Sequence, residues 1–388
     1  MSDLQIHVPP LSELHKHRSE KWRAFGQDVL PFPVAEMDFP VADPIKEVLM
    51  EMVSTSDLGY LGSIPEMGTS FAGFSLRRWE WELDPSQVRI ATDVGVGVVE
   101  VLRVFTKPGD KILLSSPVYQ NFYTWIAETK LEKVDVPFIL DPESDDGTGW
   151  SLDWPGIERA YAEGISIHLL CSPHNPLGKV YAVNDLQKIA ALAKKYGVIV
   201  ISDEIHAPLT FPENPFIPFL AVNSDAREVG ITVTAASKGW NIAGLKCAII
   251  VTQDAKLFEK LNNLAPALHY RASLLGAFAT VAAFEKGDLW LDSVMKILDD
   301  NRVLISHLID SRIPGIGYRI PHASYLAWFD LEALKLGDNP SAQILERSKV
   351  ALNPGVIYGP SASNYGRFNF ATSAELITEA FDRMSASL

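Results

Sequence analysis

The chain has 388 residues, a net charge of -14 and 47% hydrophobic residues, nine of them tryptophan. That length suits two or three domains and buries a large core without a metal or disulfide staple, and this composition excludes a disordered chain. An acidic chain is a poor match to a phosphate backbone, so no nucleic-acid partner is expected, although charge inside a cleft is free to oppose the global sign.

Cys171 and Cys247 both lie in apolar stretches and read as buried free thiols rather than as a disulfide framework. Met1 to Pro10 lacks the basic region and apolar stretch of a signal peptide. No apolar run approaches the ~20 residues of a membrane span. The expectation is a soluble cytoplasmic protein with no membrane partner.

The first forty residues are rich in Pro, His and charge and end in the aperiodic run Val34 to Pro40. A helical period then places Ile45, Val48, Leu49 and Met52 on one face, and Gly59-Tyr60-Leu61-Gly62 breaks it. Val88 to Ala91 is a short apolar run. Val98 to Phe105 reads as a helix stopped by Pro108-Gly109-Asp110, and Lys111 to Ser115 as a buried strand. Residues 141–149 form an acidic, glycine-containing surface loop. Further strands follow at Ile165 to Cys171, Val198 to Ser202 and Ile231 to Thr234. Between the first two, a helix starts at Asn184, with Gln187 completing a capping box, and Gly197 ends it. Leu289 to Leu308 is a longer helix, and Tyr325 to Asp330 and Arg367 to Ala371 are strands of a second, α+β unit. Short apolar runs alternating with helices predict an α/β fold: a mostly parallel central sheet with helices on both faces.

In open α/β sheets, ligands bind outside the carboxyl ends of the strands. Here those ends carry Ser172-Pro173-His174-Asn175-Pro176-Leu177-Gly178, then Asp203-Glu204-Ile205-His206, then Ser237-Lys238-Gly239-Trp240-Asn241. If the strands are parallel neighbours, an Asn, an Asp, a His and a Lys meet at one sheet edge. This constellation resembles the fold-type-I pyridoxal 5′-phosphate (PLP) enzymes of the aspartate aminotransferase superfamily. Within it, the chain is similar to MalY/PatB-type cystathionine β-lyases, also called C–S lyases. The resemblance covers almost the whole chain, including Arg18 to Trp22, Met37 to Pro40, Gly59-Tyr60, Ser116 to Tyr119, Ser237 to Cys247 and Tyr325 to Trp328.

The resemblance implies a role for each residue, beside a plainer reading. Lys238, otherwise a loop lysine, becomes the Schiff-base lysine; burial lowers a lysine pKa and frees the amine for attack and proton transfer. Asp203, otherwise an N-cap or loop carboxylate, pairs with the pyridinium nitrogen. An apposed anion raises the pKa of such a cation by ~1–3 units. Glu204 points away as a structural residue. Asn175, otherwise the opening of a turn, donates to the PLP phenolate oxygen and touches the substrate carboxylate, with a cis bond before Pro176. His206, otherwise a packed histidine, reaches the same phenolate oxygen. Tyr119, otherwise a core aromatic, stacks on the ring. Tyr60, otherwise an exposed turn tyrosine, comes from the neighbouring subunit to the phosphate or the reacting centre and implies a homodimer with shared sites. Arg367, otherwise an outward arginine, clamps the substrate α-carboxylate with a planar fork.

For the phosphate, Val94 and Gly95 open a helix whose free N–H groups carry ~+0.5 of dipole charge. Asp93 departs from the small neutral residue usual there; it reads as a cap with its carboxylate turned away. Ala235 stands where the superfamily often has Ser, and Ser237 and Lys246 supply the missing contacts. The implied units are a large PLP-binding domain at 45–275 and a small domain from 1–44 and 276–388. Gly95-x-Gly97 lacks the third glycine of a dinucleotide fingerprint, the acidic and histidine spacing fits no zinc motif, and no metal is expected. The implied reaction is β-elimination from cystathionine or a related S-substituted L-cysteine. An aminotransferase remains the alternative, and a non-catalytic PLP-binding regulator a remoter one.

Overall fold

Runs of Val, Ile and Leu too short for helices become the strands of a central sheet. The computed structural model describes residues 4–144 and 146–388. Residues 1–3 of the Met1 to Pro10 segment and Asp145 of the acidic loop lie outside the described residues. Among the described residues, the main sheet has seven strands: β1 (Val88–Ala91), β2 (Lys111–Leu114), β3 (Glu132–Asp135), β4 (Ile165–Cys171), β5 (Ile199–Asp203), β6 (Gly230–Thr234) and β7 (Ala248–Val251). Their order is β1-β7-β6-β5-β4-β2-β3. The strands from β6 to β3 are parallel neighbours, and β7 runs antiparallel to both β1 and β6.

Strand periodicity distributes the core over both faces. Ile112, Leu114, Ile250 and Val233 join one apolar cluster with Val98, Val101, Leu102 and Phe105 of the helix Val94–Phe105. Leu113, Ile249 and Val251 face the other cluster, with Ile189, Ala190 and Ala193 of the helix Val183–Tyr196. The mostly parallel sheet covered on both faces is thus the fold that the alternation predicts.

Two helix starts differ from expectation. Val94–Phe105 begins four residues before the apolar period does, because the Asp93 carboxylate accepts the Val96 N–H at 2.8 Å and caps it. The capping box at Asn184 is a correction: the helix begins at Val183 after Ala182, which offers no side-chain cap. Its end is as expected, with Gly197 in the left-handed region at φ +72°. The acidic loop is exposed at Pro142 and Glu143 but anchored elsewhere, since Asp146 pairs with buried Lys179 and Arg319 donates to the Pro142 carbonyl at 3.1 Å.

A second, antiparallel sheet contains β8 (Gly317–Tyr318), β9 (Leu326–Asp330), β10 (Asn353–Pro354) and β11 (Tyr365–Asn369), in the order β8-β9-β11-β10. The helices Asp288–Arg312 and Ala374–Ser387 pack together beside it. The N-terminal segment reaches this region, as Leu30–Pro31 pairs in parallel with Val350–Ala351. No helix among the described residues is long and apolar enough to cross a membrane.

Candidate active site

Because β4, β5 and β6 are parallel neighbours, the segments that follow them leave the sheet at one edge. Cys171 faces Asp203 across the ladder, and Asp203 faces Val233. That edge forms a wall of a cavity of about 490 Å³ that also takes lining from Arg367 and from the extended residues Pro33 to Ala35.

Lys238 sits in the single helical turn Ala236–Gly239 after β6, and its Nζ donates to the Ala35 carbonyl at 2.7 Å. Burial, then the Arg367 charge, lower its pKa to about 8, against the pull of Glu36 and Asp203. Asp203 ends β5 and is buried; its Oδ1 accepts the Ile205 N–H at 3.2 Å. Burial pushes this carboxyl up to about 7, with Ile205 and Lys238 opposing. A carboxyl in this situation gains most from a cation brought against it.

Asn175 precedes Pro176 through the expected cis bond. Its Oδ1 accepts from Arg367 Nη1 at 3.0 Å, and its backbone N–H points at Cys171 Sγ at 3.4 Å. His206 is buried, with Nδ1 3.1 Å from Ser324 Oγ. Burial, then the Lys238 and Arg367 charges, push it down to about 3, so the ring is neutral at pH 7. Tyr119 packs edge-on to Trp125, and its hydroxyl accepts from Asn121 Nδ2 at 2.8 Å. Arg367 is buried on β11 with Asn353 paired opposite on β10. Its Nη2 donates to the Pro33 carbonyl at 2.8 Å, and its Nε has no acceptor among the described residues.

Val94, Gly95, Ser237 and Lys246 line the same cavity. A Cβ on Gly95 would come within 3.1 Å of the Trp125 indole, so a larger residue there crowds this wall. Lys246 pairs with Asp93 Oδ2 at 3.1 Å, so the acid that departs from expectation is both a helix cap and the partner of the lysine beside it. Tyr60 is the exception: it is 94% exposed and lines no part of this chain's cavity.

The extended N-terminal segment is the part that sequence reasoning missed. The Ala35 carbonyl also accepts from Tyr325 Oη at 2.9 Å, and Asn369 Nδ2 donates to the Val34 and Glu36 carbonyls, both at 2.6 Å. Asn241 bonds both the N–H and the carbonyl of Met37. Lys21 and Trp22 both reach the buried Asp38 carboxylate, at 2.8 and 2.9 Å. The signal available was the aperiodic run itself, in which backbone groups without a helix or sheet partner need side chains instead. Gln120, Trp125, Cys171 and Asn353 are further lining residues that no motif marked.

Residues 28–384 match the family of class I and II aminotransferases. The chain belongs to that family. Among its members, the chain is 33% identical to a cystathionine beta-lyase of Corynebacterium glutamicum, covering 99% of this chain and 100% of that one. It is 30% identical to the cystathionine beta-lyase PatB of Bacillus subtilis, covering 96% and 97% of the two chains. The structure superposes on cystalysin of Treponema denticola, which contains a pyridoxal 5′-phosphate cofactor, with a TM-score of 0.91 at 25% identity, covering 100% of this chain and 98% of that one.

Proposed function

We propose that this class I and II aminotransferase-family protein is a PLP-dependent carbon–sulfur β-lyase. It cleaves cystathionine or a related S-substituted L-cysteine, with water, to a thiol, pyruvate and ammonia. The observation that carries this reading is the meeting of Lys238, Asp203 and Arg367 on one cavity, in a chain 33% identical end to end to a cystathionine beta-lyase.

The residues present fit the cofactor. Asp203 is a buried carboxyl without a cation in hydrogen-bond contact among the described residues, suited to a ring N–H⁺. Lys238 offers an amine with a lowered pKa. Tyr119 would cover the ring, and Asn175 and His206 would flank its phenolate oxygen. Val94, Gly95, Ser237 and Lys246 would hold the phosphate. When bound, PLP supplies an electron sink for the pair left behind at the substrate Cα.

The chain's own groups do the rest. Arg367 binds the substrate α-carboxylate through its planar guanidinium. Lys238 takes the proton from Cα, and loss of the Cβ–S bond releases the thiolate. Lys238 or Tyr60 returns a proton to that sulfur. The aminoacrylate left over takes up water to give pyruvate and ammonia.

Tyr60, at 94% exposure, belongs in the partner's site of a homodimer; the exposed Leu58 and Tyr270 fit a contact surface around it. The large PLP-binding domain spans 45–275, and the small domain combines 1–44 with 276–388. The buried free thiols Cys171 and Cys247 suit a reducing cytoplasm. Borohydride reduction of the PLP-loaded protein followed by peptide mapping tests the reading: the label falls on Lys238, and a protein that takes up no PLP contradicts it.

A further inference from the structure

The loop between β8 and β9 holds a residue in a backbone conformation that its side chain disfavours. Ser324 has φ +72°, in the left-handed region that favours glycine. A non-glycine residue stays there only where its surroundings over-determine it, and such residues cluster at functional sites. Here backbone contacts on two sides fix it. Ser324 N–H donates to the Leu209 carbonyl at 2.7 Å, Phe211 N–H donates to the His322 carbonyl at 3.0 Å, and Ala323 bridges to Thr210. On the other side, the His322 and Ala323 N–H groups both donate to the Gly178 carbonyl, at 2.9 and 3.1 Å. A Cβ on Gly178 would come within 2.4 Å of Pro321 Cβ, so this approach requires the glycine.

His322 to Ser324 thus grips both the segment after β5, which carries His206, and the turn after β4, which carries Asn175. The side chain of Ser324 completes the grip: its buried Oγ lies 3.1 Å from His206 Nδ1. With Nδ1 engaged, Nε2 is the ring nitrogen left for a ligand in the cavity that His206 lines. The ring is neutral at pH 7, so it carries a single N–H. An Nε2–H donor requires a bare Nδ1, and the Ser324 hydroxyl is the group placed to donate to it. The Tyr325 ring meets the imidazole edge-on at 6.3 Å, and the charges acting on it are those of Lys238 and Arg367.

We infer that Ser324 is a positioning residue for the cofactor, a role that rests on the proposed contact of His206 with the PLP phenolate oxygen. Its hydroxyl fixes the imidazole with Nε2–H toward that oxygen, and the left-handed backbone at Ser324 is what this placement demands. A donor to the phenolate oxygen stabilises its anion, so losing the donor raises the pH at which the visible band of the cofactor titrates.

The test follows the pH midpoint of that band in the PLP-loaded protein. S324A and S324G both remove the hydroxyl, but only glycine relaxes the backbone. Each raises the midpoint by about one unit, the lower end of the worth of a hydrogen bond to a charged group. H206F raises it at least as far, and adding S324A to H206F shifts it no further, because the hydroxyl acts through the imidazole. A merely structural Ser324 would leave the midpoint in place, shift it in S324A but not in S324G, or shift it again on top of H206F. Each of those results overturns the inference and leaves the PLP reading intact. An unmoved midpoint in H206F overturns it by removing the His206 contact. A wild-type protein that takes up no PLP removes the cofactor reading itself, and the inference with it.

Discussion

Arg367 Nη1 donates to Asn175 Oδ1 across 3.0 Å, although 192 positions of sequence separate the two. One residue lies on the four-stranded sheet and the other in the turn after β4, so a single hydrogen bond ties the two sheets together at the cavity. It also orients the amide: with its oxygen turned to Arg367, Asn175 presents Nδ2 as its donor. Arg367→Lys keeps the charge but loses the fork that serves Asn175, Pro33 and the substrate together. Steady-state kinetics should show kcat/KM down by at least about tenfold, mostly through KM. An unchanged value means that Arg367 is not the carboxylate clamp.

Asp93 caps the helix Val94–Phe105 through Val96 N–H and holds Lys246 with its other oxygen. Asp93→Ala should lower stability by about 1 kcal/mol, the usual worth of an N-cap. Asp93→Ser, which restores an acceptor at the cap, should recover most of it in urea unfolding. Equal stability of the alanine variant and the wild type would show that the cap contributes nothing.

Glu204 is buried beneath the site, accepting from Phe219 N–H and Ser202 Oγ, both at 2.9 Å. Burial, with Asp203 adding to it, pushes its carboxyl up to about 8. A folded-state pKa above the unfolded value means that the folded chain holds this proton more tightly. The stability from Glu204 is therefore complete below about pH 4.5, declines as the pH rises, and is gone above about pH 8. Melting temperatures measured from pH 5 to 8 should fall less in Glu204→Gln, which retains an acceptor for both donors, than in the wild type. Parallel slopes in the two proteins contradict this.

If Tyr60 serves the partner's site, chains of Tyr60→Phe and Lys238→Ala should complement each other. Each mixed dimer then carries one intact site, so random exchange of equal amounts restores about a quarter of wild-type activity. No recovery in a verified mixed dimer, or an active monomer by sedimentation, argues against shared sites.

Much of the site was legible because its residues follow short buried strands. Once Ile165 to Cys171, Val198 to Ser202 and Ile231 to Thr234 are read as parallel neighbours, Asn175, Asp203 and Lys238 fall on one edge without any coordinates. Two kinds of feature were not legible. The aperiodic segment Pro33 to Asp38 is fixed by side chains from Asn369, Asn241, Tyr325 and Lys21, contacts distant in sequence that local pattern does not encode. The start of the helix Val183–Tyr196 was misplaced because the capping-box pattern at Asn184 and Gln187 is a local preference, and here the helix begins without a side-chain cap.

The most direct test of the central claim separates elimination from amino-group transfer in one protein. The PLP-loaded enzyme is incubated with cystathionine and, separately, with an amino acid lacking a β leaving group together with a 2-oxo acid. Thiol, pyruvate and ammonia in equal amounts from the first, with no keto-acid exchange in the second, is the result this account predicts. Fast stoichiometric exchange of the amino group without release of thiol would contradict it and make the protein an aminotransferase.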